Sequence, residues 1–453
     1  MRGTVVSNIP SDGASKLIKQ SQVPKWCFLF AFSLCALCGG VGFSDDWPQW
    51  RGPLADSVWR EDGIVSELPE GQLPLTWKQP IGPGYSGPTV AEGRVYVTDR
   101  VADEADGVER ILCFDANSGE PLWQVKYEAA YTIGYKAGPR AAVTIHGGRA
   151  FAVGAMGHFY CLDAATGDVQ WKHDLNEEYS IRMPIWGITA SPVIYQSTVI
   201  QQVGGADGAC MVAFDQETGR ELWRSLDDRA QYATPVLIRR GGRDLLICWT
   251  GDSVALLDPA TGDQLSRAEM KPRNMPIGVA SPFVIENRIF VSSFYDGSMM
   301  LRIPDGTTKL ETIWRRVGES EQITDSLHCM ISGPLVTGDF IYGVDSYGQL
   351  RCLNAENGDR IWEDQTAVPR SRWSTIHMVQ HEKDIWMFNE RGELLIARLD
   401  GNGFHERSRC QLIAPTKAQL NRRGGVCWAH PAYANKHVFA RNDKELVCAS
   451  LAE

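Results

Sequence analysis

Between Gly138 and Leu175, apolar and polar positions alternate in short runs, each closed by a glycine-centred break. Pro139–Ile145 alternates and stops at His146-Gly147-Gly148. Ala150–Met156 is apolar and stops at Gly157. His158–Asp163 alternates into the turn Asp163-Ala-Ala-Thr-Gly167, and Asp168–Leu175 carries Trp171. Runs of about five to seven residues, bounded by Gly-containing turns, predict four β-strands with no helix between them.

The unit recurs along the chain, so the pattern predicts a ring of blades. A first unit runs from Gly87-Pro88-Thr89-Val90 to Leu122-Trp123, interrupted by an acidic loop, Asp99–Glu109. Others begin at Ser191-Pro192, Thr234-Pro235, Ser281-Pro282 and Gly333-Pro334. A degenerate unit begins at Trp373, and a last one, Pro431–Leu451, has only three strands. Turn anchors fall at 115, 163, 215, 258, 305, 354 and 400, spaced 43 to 52 apart, and alignment puts an eighth at Ala452. The C-terminus lacks a fourth strand, while Leu75–Gln79 has no partners upstream. That ribbon, with Trp77 in the position of Trp171, is expected to complete the last blade. The fold class is therefore an all-β, eight-bladed propeller of four-stranded antiparallel blades, closed by an N-terminal strand. Closure removes the ring's open sheet edges.

The recurring residues have physical roles. Turn Asp or Asn accepts from amides two or three residues on, and Gly supplies positive φ. Pro opening an innermost strand needs no ladder N–H. Trp on the outer strand is large enough to wedge neighbouring blades. Leu265 is expected to take that slot in the fourth blade.

Length fits a repeat fold, because 453 residues exceed one ordinary core. The formal charge is -10; the first 44 residues hold four basic residues and one acid, leaving 41 basic against 54 acidic beyond them. An acidic body without a basic run argues against nucleic acid as a partner. In residues 1–44, Lys16, Lys19 and Lys25 precede an apolar run, Trp26 to Phe43, with Gly42 and Ser44 placed for cleavage before Asp45. This predicts a signal peptide, or a signal anchor if it is retained; Cys35 and Cys38 both follow Leu, which argues against lipoprotein processing. The expected location is exported, periplasmic or extracellular, with membrane contact only if the segment stays. Residues 45–74, broken by Pro48, Gly52 and Pro53, are expected to form a packed lead-in without regular strand, followed by the propeller over 75–453. Nine of the 12 cysteines lie beyond Ser44, an odd count that argues against full pairing. Cys113, Cys161 and Cys352 share one repeat position and read as small buried apolar groups.

The segments Ala164–Trp171 (AATGDVQW), Gln216–Trp223 (QETGRELW) and Ala355–Trp362 (AENGDRIW) resemble the pyrroloquinoline-quinone (PQQ) repeat. The resemblance covers about residues 75–452. It implies the propeller fold without choosing a function. Such rings include quinoprotein alcohol dehydrogenases, which bind the quinone and calcium. They also include the lipoprotein subunit of the outer-membrane β-barrel assembly machine, which binds protein. WPQWRGP and Ile81–Pro88 resemble segments of secreted bacterial proteins of this type.

In a propeller, the loops leading into the innermost strands line one mouth of the channel. Here they carry Tyr85, Arg140, Arg182, Trp186, Tyr232, Arg273, His328, Arg372, Trp373 and His430 as the candidate ligand site, with Lys136, Asn274 and Trp428 nearby. Arginine forks and aromatic faces suit an anionic, planar or extended ligand. The alternative is that the rings pack the blade tops while the arginines pair with Glu178, Asp228 and Asp325. Those acids are also the only evident calcium or base candidates, and no motif fixes their spacing. The quinone dehydrogenases resembled here commonly carry adjacent cysteines, which this chain lacks, and no CxxCH occurs. G-x-S-x-G, HExxH and P-loop motifs are absent too, and His377 and His381 fall in a strand. The expected function is a binding or scaffold module for a protein or a small anionic ligand, monomeric and without cofactor. The alternative is a PQQ- and calcium-dependent alcohol or sugar dehydrogenase.

Overall fold

Eight sheets follow one another along the chain, each starting at its innermost strand. The computed structural model describes residues 46–101 and 107–453. The expected targeting segment lies outside the described residues, as does the middle of the acidic loop. The flanks of that loop are strand: Arg94–Val101 pairs with Val108–Asp115 in the first blade, between Thr89–Ala91 and Pro121–Glu128. The second blade is Thr144–His146, Arg149–Val153, His158–Asp163 and Val169–Asp174. Blades three to six repeat this order, and the seventh begins at Ile376–His381. The eighth is Ala432–Ala434, His437–Arg441, Glu445–Ser450 and, outermost, Trp77–Pro80, with Trp77 opposite Cys448. The N-terminal ribbon thus closes the ring. Innermost strands begin immediately after Pro192, Pro235, Pro282, Pro334 and Pro431, where no ladder N–H is missed. One short helix, Leu175–Tyr179, interrupts a pattern that predicted strands alone; Asp174 caps it.

The repeat residues form a latch between blades. Cys113, Cys161, Cys352 and Cys448 lie directly across from Trp123, Trp171, Trp362 and Trp77, and each cysteine is buried and free. A small group there leaves room for the indole. Beside the first three of these pairs the outer strand skips one residue, and such a bulge re-aims the next side chain. The Trp77, Trp123 and Trp171 indoles lie on Gly119, Gly167 and Gly219 of the following blade and donate to a turn carbonyl. Trp123 Nε1 reaches Ala164 O at 3.1 Å, Trp171 reaches Gln216 O at 2.9 Å, and Trp77 reaches Ala116 O at 2.9 Å. A Cβ on Gly167 would sit 2.7 Å from the Trp123 ring, and φ there is +79°, so both the contact and the backbone require glycine. Trp223, Trp314 and Trp362 make the same bond to blades four, six and seven.

Two seams lack the indole, and serine stands in its slot at both. In the fourth blade, Leu256 pairs with Ser266, so Leu265 is the skipped residue and not the expected occupant. The bulge is the one found beside the Trp pairs, and Ser266 stands four residues after Gly262, as Trp123, Trp171 and Trp223 do after Gly119, Gly167 and Gly219. Ser266 Oγ accepts from Leu310 N of the next blade at 2.9 Å. In the seventh blade Ser408 pairs with Ile396 and accepts from Leu68 N at 2.9 Å.

Leu68 belongs to the lead-in, which threads the ring and then straps it. Trp47 pairs with Val90 of the first blade, and Pro48 O accepts from Ile145 of the second. Trp50 Nε1 donates to Ser281 Oγ at 3.0 Å, and Arg51 donates to Pro282 O at 3.1 Å, both at the fifth blade. Val58–Trp59 pairs in parallel with Gln380–His381, giving the seventh blade a fifth strand on its inner edge. Only a position on the axis reaches blades so far apart. The expectation of no regular strand in the lead-in is corrected here for these two residues, and that of four strands per blade for the seventh. Ile64 then pairs with Ala452, and Leu73 N donates to Gln411 O. This strap closes the seam where the seventh blade offers no indole.

Candidate functional site

Loops joining an outer strand to the next innermost strand all lie on one face, the top of the ring. Their inner ends surround a cavity of about 130 Å³. That is close to the ~150 Å³ cavity that holds one benzene, so the enclosed part takes a single ring-sized group. Trp50 closes its floor, 4.4 Å edge-on from the His430 ring. Tyr85, Tyr135, Trp186, Tyr232, Trp373 and Trp428 form the walls. Trp186 lies against Tyr232 with ring centroids 5.0 Å apart, and Trp373 meets Tyr135 at 5.8 Å and Trp186 at 6.3 Å. These separations are those of mutually supporting aromatic pairs. Trp373 holds φ +68°, with its N–H on Ser346 O at 2.8 Å. A bulky residue in that region stores about 1–3 kcal/mol, which the surrounding rings must offset.

Arg140 is the one charged side chain in the lining. Its guanidinium donates to the carbonyls of Gly134, Tyr135 and Gly138, and it lies 4.8 Å over the Tyr85 ring. Among the described residues it has no carboxylate within ion-pair distance. Burial lowers its pKa below the ordinary guanidinium value, yet arginine stays charged at neutral pH. The cavity therefore presents a positive charge with no direct ion-pair partner among the described residues; Glu109, held by Tyr131, acts on it from farther off.

Two buried histidines complete the floor. His377 Nε2 donates to Trp428 O at 2.8 Å. Burial pushes its pKa down to about 4. His430 is pushed to about 3 by burial, with the neighbouring His377 adding to it. Both are neutral at pH 7 and act as apolar-faced rings.

Of the ten residues the sequence singled out, Tyr85, Arg140, Trp186, Tyr232, Trp373 and His430 line the cavity. Arg182 and Arg273 are exposed and outside it; Arg273 donates to Gly318 O at 3.1 Å. His328 is fully buried, with Nδ1 on Phe294 O at 3.0 Å and Nε2 accepting from Gly318 N at 3.1 Å, so it clips two loops together. Arg372 stands just outside Trp373, 4.4 Å over its ring, in a two-pronged pair with Glu321. The sequence did not point to Trp50, Tyr135, Ser191, Thr234 or Ser281. The hydroxyls immediately precede Pro192, Pro235 and Pro282, which open three innermost strands, and that recurrence is the available signal.

The three acids considered as calcium or base groups are engaged elsewhere. Glu178 accepts from His173, Asp228 is held by Arg267, Thr250 and Ser253, and Asp325 pairs with Arg316. None lines the cavity, whose wall contains no carboxylate among the described residues. Calcium needs several oxygen ligands including carboxylates, so this donor set does not fit it. Among the described residues no cluster of three or more His, Cys, Asp or Glu is placed to hold a metal. No helix of the described residues is long and apolar enough to cross a membrane.

A family model described as outer membrane protein assembly factor BamB matches residues 107–364. The BamB protein of Escherichia coli K12 is 24% identical over 364 residues, covering 66% of this chain and 84% of that protein. A quinohemoprotein alcohol dehydrogenase, ADH-IIG of Pseudomonas putida, is 27% identical over 172 residues, 35% of this chain. The match spans only 22% of that dehydrogenase's length. Among solved structures, BamB from Moraxella catarrhalis superposes with a TM-score of 0.56 at 14% identity, covering 83% of this chain and 97% of that one. The quinohemoprotein alcohol dehydrogenase of Comamonas testosteroni gives 0.58 at 12% identity, covering 89% and 80%. At these identities the likeness is one of fold. The family match extends over more than half of the residues: the chain belongs to the PQQ-repeat propeller family described as outer membrane protein assembly factor BamB.

Proposed function

We propose that this protein is an exported, monomeric binding module that engages a protein or a small anionic ligand through the mouth of its ring. One observation carries the reading. The cavity is walled by six aromatic residues around an arginine with no carboxylate in ion-pair distance, and among the described residues its lining holds hydroxyls but no carboxylate. Such a site attracts and stacks: among the described residues its hydroxyls bond to backbone groups and to Trp50, not to a histidine or carboxylate that would activate them. The domain plan that goes with it is a cleaved or retained segment over 1–44, the lead-in over 45–74 and the propeller over 75–453. Periplasmic or extracellular residence follows from the basic and apolar character of the first segment. The BamB relatives, named as assembly factors, support a scaffold role. The dehydrogenase relatives support the alternative of quinone-dependent oxidation, which the donor set of the cavity opposes.

Calorimetric titration with indole-3-acetate separates the readings when run beside addition of PQQ and calcium. Binding of the aromatic acid, weakened tenfold or more in Arg140→Gln, is the expected result. Quinone absorbance held by the protein together with dye-linked alcohol oxidation would overturn it.

A further inference from the structure

The surface around the cavity names the kind of partner, given the binding role proposed above. From the sixth blade to the eighth, the top loops expose Arg370, Lys417, Arg422 and Lys444. None of the four has a carboxylate within ion-pair distance among the described residues. Of the acids on this side, Asp345, Glu390 and Asp443 are buried, Asp364 is half-buried and accepts from Thr366 and Ala367 of its own loop, and Glu319, in the loop of Ile323, is exposed. Glu390 is clasped by Arg423 and Trp428, Asp345 faces Arg351, and Asp443 accepts from Thr416 and Ala418. An arc of free positive charge therefore flanks the mouth of a chain whose formal charge is -10. Beside the arc, Ile323 is 61% exposed, and across the mouth Ile185 is 49% exposed. The enclosed cavity has room for one ring, while this charged and apolar rim extends well beyond it. A free aromatic acid would fill the first and leave the second unused.

We propose that the mouth docks an extended acidic peptide segment of a partner protein. One aromatic side chain of the segment enters the cavity among Trp186, Tyr232 and Trp373, with Arg140 facing a backbone carbonyl or carboxylate. Flanking Asp or Glu residues lie over Arg370, Lys417, Arg422 and Lys444. Rim charges govern encounter and specificity while the buried ring supplies most of the affinity, so binding is salt-sensitive but not salt-abolished.

The test uses the full chain and dye-labelled, end-blocked nonapeptides followed by fluorescence anisotropy. The central residue is Trp, and the flanks are four Glu, four Ser or four Lys on each side; a fourth peptide has Glu flanks and a central Gly. The Glu/Trp peptide is expected to bind at least tenfold tighter than Ser/Trp at low salt and to lose most of that advantage at 0.5 M salt. Lys/Trp and Glu/Gly are expected to bind at least tenfold more weakly than Glu/Trp. Arg370→Glu combined with Arg422→Glu is expected to erase the preference for acidic flanks. Equal affinity for all three flanks, or Glu/Gly matching Glu/Trp, overturns the proposal. If indole-3-acetate still binds in that case, the cavity reading survives and only the acidic-peptide assignment falls; if it does not, both fall.

Discussion

Replacing Trp77 by Ala tests how the ring is held closed. Trp77 is 8% exposed. It lies against Gly119, donates to Ala116 O at 2.9 Å and faces Cys448 across the strand pair. Truncating a buried Trp costs about 3–5 kcal/mol from lost transfer and residual cavity, and the orphaned Ala116 carbonyl lies at the upper end of that range. With a urea dependence of about 3 kcal/mol per M or more for a protein of this size, the unfolding midpoint should fall by up to roughly 1.5 M. Trp77→Phe keeps the contact and loses the hydrogen bond, so it should cost about 1 kcal/mol beyond its smaller volume. A local readout separates a loosened clasp from general destabilisation. Burial pushes the Cys448 thiol up to about 12, so it is inert in the closed ring. In Trp77→Ala, mass-mapped thiol labelling should reach Cys448 first, while Cys161, locked opposite Trp171, stays protected. A loss below about 1 kcal/mol, or equal labelling of both cysteines, would refute the latch.

The two floor histidines make stability depend on pH. His377 has a folded pKa of about 4 against an ordinary 6.5, so the unfolded chain binds the extra proton between those values and stability falls as pH drops from 6.5 to 4. At ~1.4 kcal/mol per unit the loss reaches about 3 kcal/mol. His430 acts in the same direction, and His377→Gln, which can still donate to Trp428 O, should flatten the profile in urea melts at pH 7, 5.5 and 4. Gly167→Ala places a Cβ against the Trp123 ring at a positive φ. It should cost about 1–3 kcal/mol, whereas Gly306→Ala, whose Cβ meets nothing within 4 Å, should show only the cost of its φ.

Much of this architecture is written in local pattern. Asp163, Gly167 and Trp171 sit in one turn and one strand, so their spacing shows directly. The count of blades and the completion of the last by Trp77 follow from such spacing alone. The bulge beside most of these Trp residues does not, because register is set by the partner strand; that Ser266 and not Leu265 occupies the slot does follow from spacing, four residues after Gly262. The lead-in was opaque for another reason. Pro48, Gly52 and Pro53 break any period, and its partners Val90, Ile145, Ser281 and Gln380 are far away in sequence. Trp50 could not be placed beneath the cavity without them. The mouth was visible as a set of loops, but which arginine stays free depends on long-range pairing. Arg372 is neutralised by Glu321, 51 residues before it, while Arg140 meets carbonyls, ring faces and the Tyr131 hydroxyl.

The central claim is that the aromatic mouth is where this ring meets its ligand. Amide hydrogen exchange with and without saturating indole-3-acetate addresses it most directly. The account predicts slower exchange over residues 134–140, 186–191 and 428–430 around the cavity, with no change in the turns at 115–119 and 163–167 on the opposite face. Protection confined to the opposite face, or none anywhere at saturation, would contradict it.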